Sequence, residues 1–104
     1  GFDEQAAKTH LKAVAREPLE QVRDRLAELD DWEADKLHQV VIDVAEALSL
    51  IMGKFAQPCR VAVVGRAASP GIDVTLKLVG REASLRRIDR ALEYINIRVE
   101  ENAT

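Results

Sequence analysis

Apolar residues recur along most of this chain at the spacing of one helix face. Ala7, Leu11 and Val14 fall at i, i+4 and i+7, and Leu19, Val22, Leu26 and Leu29 continue the rhythm after Pro18. A proline suits a first helical turn, so Pro18 marks the second start. Leu37, Val40, Val41, Val44, Leu48 and Ile51 make the longest stripe, with Gly53 placed to end it. Asp30 or Asp31 is positioned to cap that helix, and Trp32 to cover the end of the core. Near the C-terminus, Ser84 stands as an N-cap before Leu85, Ile88, Leu92, Ile95 and Val99. Each stripe needs a partner surface, so these helices bury their apolar faces against one another.

In the middle of the chain two rules disagree. Arg60-Val61-Ala62-Val63-Val64 is short and β-branched, and Ile72, Val74, Leu76 and Leu78 alternate with Asp73, Thr75 and Lys77. Periodicity reads both as strands, together a hairpin over 58–79 in an α+β domain. Punctuation reads them as short helices. Pro58 would open one, with Gly65 just past its end; Ser69 would cap the other, with Pro70 at its first position and Gly80 after it. β-Branched residues are mediocre helix formers, which favours the strands. The residues alone leave both open.

Length and composition narrow the class. A chain of 104 residues fits one domain, with no room for a nucleotide-binding catalytic domain besides. With 47% apolar and 32% charged residues, it reads as globular rather than disordered. Aromatics make up only 4% (Phe2, Trp32, Phe55, Tyr94), too few for an aromatic base-stacking platform. The single cysteine, Cys59, cannot form an internal disulfide. No apolar run approaches the ~20 residues of a membrane helix, and no signal-peptide layout opens the chain. The expectation is a cytoplasmic protein, and Gly1 in place of an initiator Met points to a piece of a longer one.

Charge changes the picture. The net value is −3, which taken alone argues against a nucleic-acid partner. Its distribution does not. Residues 1–53 carry six basic and twelve acidic groups, while 54–90 carry eight basic groups against three acidic ones. The eight are Lys54, Arg60, Arg66, Lys77, Arg81, Arg86, Arg87 and Arg90. Such asymmetry points to a polyanionic partner for one part of the surface, against the plainer reading of a solvated basic face.

A search for catalytic chemistry finds no constellation. His10 and His38 lack partners at metal-ligand spacing, so no metal is expected. Nothing near Cys59 serves as its base, and it reads as a small packing residue. No glycine-rich phosphate loop is present. What remains is the stretch Gly65-Arg66-Ala67-Ala68-Ser69-Pro70-Gly71-Ile72, with Arg60 just before it. If Ser69-Pro70 opens a helix, the N–H groups of Gly71, Ile72 and Asp73 are donors at its start, able to hold phosphate or the carbonyl edge of an unstacked base. Asp73 in that turn repels a phosphate and tilts the expectation toward base edges, with Arg60 and Arg66 meeting the backbone.

Two stretches carry a family resemblance. Gln57-Pro58-Cys59-Arg60-Val61-Ala62-Val63-Val64-Gly65-Arg66, running on through Ser69-Pro70-Gly71-Ile72-Asp73, resembles a segment near the end of bacterial glutamyl-tRNA synthetases. Leu78-Val79-Gly80-Arg81-Glu82 followed by Ser84-Leu85 and Arg87-Ile88 is similar to that family's next motif, and Asp3-Glu4, Ala6-Ala7-Lys8 and Leu11 extend the likeness upstream. Cys59 and Val64 depart from the family's usual Leu and Thr.

The resemblance implies an all-α, compact multi-helix anticodon-binding subdomain of the helix-cage type, and so overrides the strands. It implies one domain over 1–104, from the C-terminal anticodon-binding region of a class I synthetase whose catalytic domain lies elsewhere. By motif, four residues would contact the anticodon loop of tRNA(Glu): Arg60 by a hydrogen bond to a base or phosphate, Ser69 with the backbone beside Pro70 at a base edge, and Ile72 by packing against a base, with Arg66 added on charge grounds. The whole enzyme would join glutamate to tRNA(Glu) using ATP and magnesium; this part would bind tRNA, neither DNA nor membrane, and catalyse nothing. The competing expectation is a helical protein–protein adaptor without RNA binding.

Overall fold

The computed structural model describes residues 3–65 and 71–103, which form six α-helices and one 3-10 turn, with no strand among the described residues. The chain is all-α, and the hairpin alternative falls away. Helix α1 spans Glu4–His10, capped by Asp3, whose Oδ2 accepts the Ala6 N–H at 3.2 Å. A 3-10 turn, Ala13–Ala15, leads into α2, Arg16–Ala27, with Pro18 in its first turn. Because α1 stops at His10, Val14 leaves the expected stripe and is 81% exposed.

Helix α3 spans Ala34–Ala47 and starts after Glu33, so neither Asp30 nor Asp31 is its cap. Its end also differs from expectation. The helix stops well before Gly53: Ser49 adopts φ 55, its N–H reaches Glu46 O, and the Leu50 N–H returns to Ala45 O at 2.7 Å. That paired closure is a Schellman end built on a serine. It leaves Ile51 outside the core, 67% exposed.

Helix α4, Met52–Val64, therefore begins earlier than Pro58, which lies inside it, and Gly53 sits in its first turn. A mid-helix proline withholds one backbone donor, here the one that would meet the Lys54 carbonyl. Gly65 closes α4 with φ 82, its N–H on Val61 O at 2.8 Å. Val61, Ala62 and Val63 are all buried, because α4 packs against α1, α2, α3, α5 and α6. A helix with this many neighbours is apolar over most of its surface, so its β-branched run imitates a buried strand, although Lys54 and Arg60 still reach solvent.

Helix α5, Ile72–Val79, resolves the second ambiguity. Ile72, Thr75 and Leu76 face inward, while Val74 and Leu78 are 43% and 76% exposed. The spacing obeyed is 3.6, not 2. Gly80, at φ 90 and ψ 162, turns the chain directly into α6, Arg81–Ala103. Ser84 is consequently inside α6 rather than its cap: its N–H bonds Gly80 O, and its buried Oγ has no hydrogen-bond partner among the described residues. One continuous core joins all the helices, with Leu11, Leu19, Leu26, Leu37, Val44, Val61, Leu76, Ile88 and Ile95 fully enclosed.

Candidate nucleic-acid interface

The stretch singled out in the sequence lies where α4 ends and α5 begins, two helices that pack on each other. Arg66, Ser69 and Pro70 lie outside the described residues. Arg60 and Ile72 are described. Arg60 is half-buried in the last turns of α4, between Cys59 and Val61, which are 3% and 0% exposed. Ile72 is the first residue of α5, and its side chain packs in the core with 3% exposure. What Ile72 presents at the surface is thus mainly backbone, and its side chain, enclosed in the core, is not placed to pack against a base as expected.

The start of α5 is built on a glycine. Gly71 occupies the N-cap position, is exposed, and has no side chain with which to cap. Its carbonyl accepts the first bond of the helix, from Thr75 N–H at 2.9 Å. The N–H groups of Ile72, Asp73 and Val74 therefore have no acceptor within the helix and stand at its positive end. A Cβ on Gly71 would come within 2.8 Å of Asp73 Oδ1, so the Asp73 carboxylate folds back beside the helix start. A negative charge there favours a neutral carbonyl edge over a phosphate.

The end of α4 is held from outside the helix. Arg87 Nη1 donates to Val63 O at 2.9 Å from α6, and the Asp3 N–H donates to Gly65 O at 2.8 Å from the start of α1. Just before it, Cys59 is sealed in the core: burial pushes its thiol up to about 12, with the Arg60 charge pulling weakly the other way. Cys59 is a packing residue, with no thiolate to offer at neutral pH.

The basic stretch divides into cations with different tasks. Lys77 Nζ bonds Trp32 O at 2.8 Å and Glu33 Oε1 at 3.0 Å. Arg81 lies over the Trp32 ring, 5.2 Å from its centroid, and donates to Leu26 O at 3.3 Å and to Leu29 O. Trp32 Nε1 in turn donates to Leu76 O at 2.8 Å. Arg81 and Arg87 thus reach carbonyls in the last turns of α2 and α4, which lack intrahelical donors, while Lys77 ties the loop before α3 to α5. Charge counting along the sequence missed this. The available signal was position, since Lys77 and Arg81 flank the Gly80 stop and Trp32 follows the end of α2.

Elsewhere a recess of about 420 Å³ opens at the opposite end of α4, with Val14, Ala15, Pro18, Ile51 and Phe55 among its lining residues. Among the described residues no three His, Cys, Asp or Glu side chains gather where they could hold a metal ion. No helix there is long and apolar enough to cross a membrane.

Comparison with known proteins converges on one family. Residues 1–92 match the family described as an anticodon binding domain. Over 95 residues the chain is 46% identical to glutamate–tRNA ligase 2 of Coxiella burnetii strain Dugway, covering 91% of this chain and 20% of that protein. Glutamate–tRNA ligase 1 of strain RSA 493 matches equally. Among solved structures, a glutamate tRNA ligase of Elizabethkingia meningosepticum superposes with a TM-score of 0.82 at 27% identity, over 91% of this chain and 19% of that one. The glutamate–tRNA synthetase of Elizabethkingia anophelis gives 0.71 at 30% identity, over 89% and 18%. The chain spans about a fifth of the length of the relatives it matches.

Proposed function

The chain belongs to the anticodon-binding domain family, and from that premise we propose that it reads the anticodon of tRNA(Glu) as one part of a glutamyl-tRNA synthetase. The middle and third anticodon bases splay against the end of α4 and the start of α5. Arg60 hydrogen-bonds a base or phosphate, and Ser69 with the backbone beside Pro70 reads a base edge. Ile72 places the first N–H groups of α5, and Arg66 adds charge toward the RNA backbone. A matched base satisfies these donors; a wrong base leaves polar groups unpaired, at about 1–3 kcal/mol each.

The catalytic work belongs to the rest of the parent protein: joining glutamate to tRNA(Glu) in two steps with ATP and magnesium, in the cytoplasm. The observation that carries the proposal is the family match across residues 1–92, which includes both quoted motifs. The exposed glycine start of α5 supports it. The test is a titration of the chain with anticodon stem-loops differing at one base each. Arg60→Ala is expected to weaken matched binding at least several-fold with unchanged helical circular dichroism. Indifference of binding to both Arg60 and Ser69 would favour the adaptor role instead.

A further inference from the structure

Two neighbouring arginines of α6 face different surroundings. Arg86 is exposed, whereas Arg87 is half-buried and sends Nη1 to Val63 O, 2.9 Å away on α4. Val63 belongs to the last turn of α4, whose carbonyls have no donors within the helix. The exit of that helix is fastened from three directions: Val61 O takes the Gly65 N–H, Val63 O takes Arg87, and Gly65 O takes the Asp3 N–H. Arg60 stands three residues before Val63, one turn away on the same helix. Whatever sets the last turn of α4 therefore sets Arg60.

We propose that Arg87 is a positioning residue for anticodon discrimination, holding the end of α4 from α6 without itself touching tRNA. The inference rests on the anticodon role proposed for the α4–α5 junction. Its chemistry suits the task. A guanidinium at a helix C-terminus satisfies an orphan carbonyl and meets the negative end of the dipole in one contact. Base-edge readout depends on donors standing at hydrogen-bond distance, so loosening the helix end blurs matched against mismatched bases more than it lowers overall attraction. A cation that instead neutralised a phosphate would act on every sequence alike and contribute about one to the salt slope.

Those signatures separate the two roles. Binding of the 104-residue chain to a matched stem-loop and to one mismatched at the middle anticodon base is measured between about 50 and 200 mM salt. Arg87→Met, which keeps the apolar stem, is expected to lower the matched-to-mismatched ratio about fivefold with the salt slope unchanged. Arg87→Lys falls between Met and the wild type, and Arg86→Met leaves the ratio where it was. An intact ratio in Arg87→Met, with or without a slope lowered by about one, overturns the proposal. If the wild-type chain does not discriminate at all, the anticodon role itself fails and takes the proposal with it. A measurement on the unaltered chain keeps the question decidable even if Arg87→Met does not fold. The Arg87 side-chain nitrogen resonances should hold their positions when the matched stem-loop is added, and a shift of the kind phosphate contact produces would contradict the role.

Discussion

Helix α5 is only eight residues long, yet its two ends are built in opposite ways. At the C-terminal end, Leu76 O accepts both the Gly80 N–H and Trp32 Nε1, Lys77 bonds the Trp32 carbonyl, and Arg81 covers the indole. At the N-terminal end the helix starts on an exposed glycine, with three donors that no intrahelical acceptor takes. The difference teaches how a short helix can be both rigid and receptive. Fastening one end to the scaffold fixes the axis, so the other end can offer its amides at a set position without side-chain help.

The largest way to break this contrast is to remove the fastening. Trp32→Ala deletes the ring and the Nε1 donor, and should cost about 3 kcal/mol in urea unfolding. Trp32→Phe keeps an aromatic face for Arg81 but loses the hydrogen bond to Leu76 O, at about 1 kcal/mol. A Trp32→Ala chain as stable as the wild type would mean that the clamp does not hold α5.

The two glycines sharpen the contrast from the backbone side. Gly80 sits at φ 90 with open space around a would-be Cβ, so Gly80→Ala meets a purely conformational penalty, about 2 kcal/mol. Gly71 has an ordinary φ of −49, and only the movable Asp73 carboxylate opposes a side chain there. Gly71→Ala should thus change stability by less than about 0.5 kcal/mol while reducing stem-loop binding. Equal stability losses at the two glycines would erase the distinction between the ends.

Alkaline pH probes the core behind the receptive end. Burial raises the Cys59 thiol from 9.0 to about 12, so the folded state keeps its proton over a range where the unfolded chain releases it. The resulting stability is intact below pH 9 and is lost progressively as pH rises toward 12. Wild-type stability should fall more steeply than that of Cys59→Ala across that window, and the thiol should resist alkylation until the chain unfolds. Parallel pH curves for the two proteins would show that Cys59 is not sealed. The smallest effect is expected at Glu33, whose 3.0 Å pair with Lys77 is largely exposed. Glu33→Gln should cost about 0.5 kcal/mol, vanishing at high salt.

Much of this architecture is legible in the sequence, and the failures have physical causes. Gly65 and Gly80 both end helices as their placement implies, because both adopt positive φ. The core stripes of α2, α3 and α6 follow their 3.6-residue spacing. Val14 and Ile51 drop out because a 3-10 turn and a Ser49-based closure end the helices before them, and neither device has a strong sequence mark. Pro58 misleads as a start signal because α4 tolerates a proline in its interior. The β-branched run of α4 could be told from a strand only by knowing that five other helices pack against it. At the proposed interface, the family motif points to Arg60 and Ile72, but no local rule separates a cation offered to a partner from one fastening a backbone carbonyl. Lys77, Arg81 and Arg87 became distinguishable only with their carbonyl partners in view.

The most direct measurement is the titration of the chain with stem-loops that match the glutamate anticodon or differ at its middle or third base. Matched binding should exceed each mismatch by about tenfold, the equivalent of one unsatisfied polar contact. Arg60→Ala should remove most of that advantage. Equal affinity for all the stem-loops, unaffected by Arg60→Ala, would contradict anticodon reading at the junction of α4 and α5.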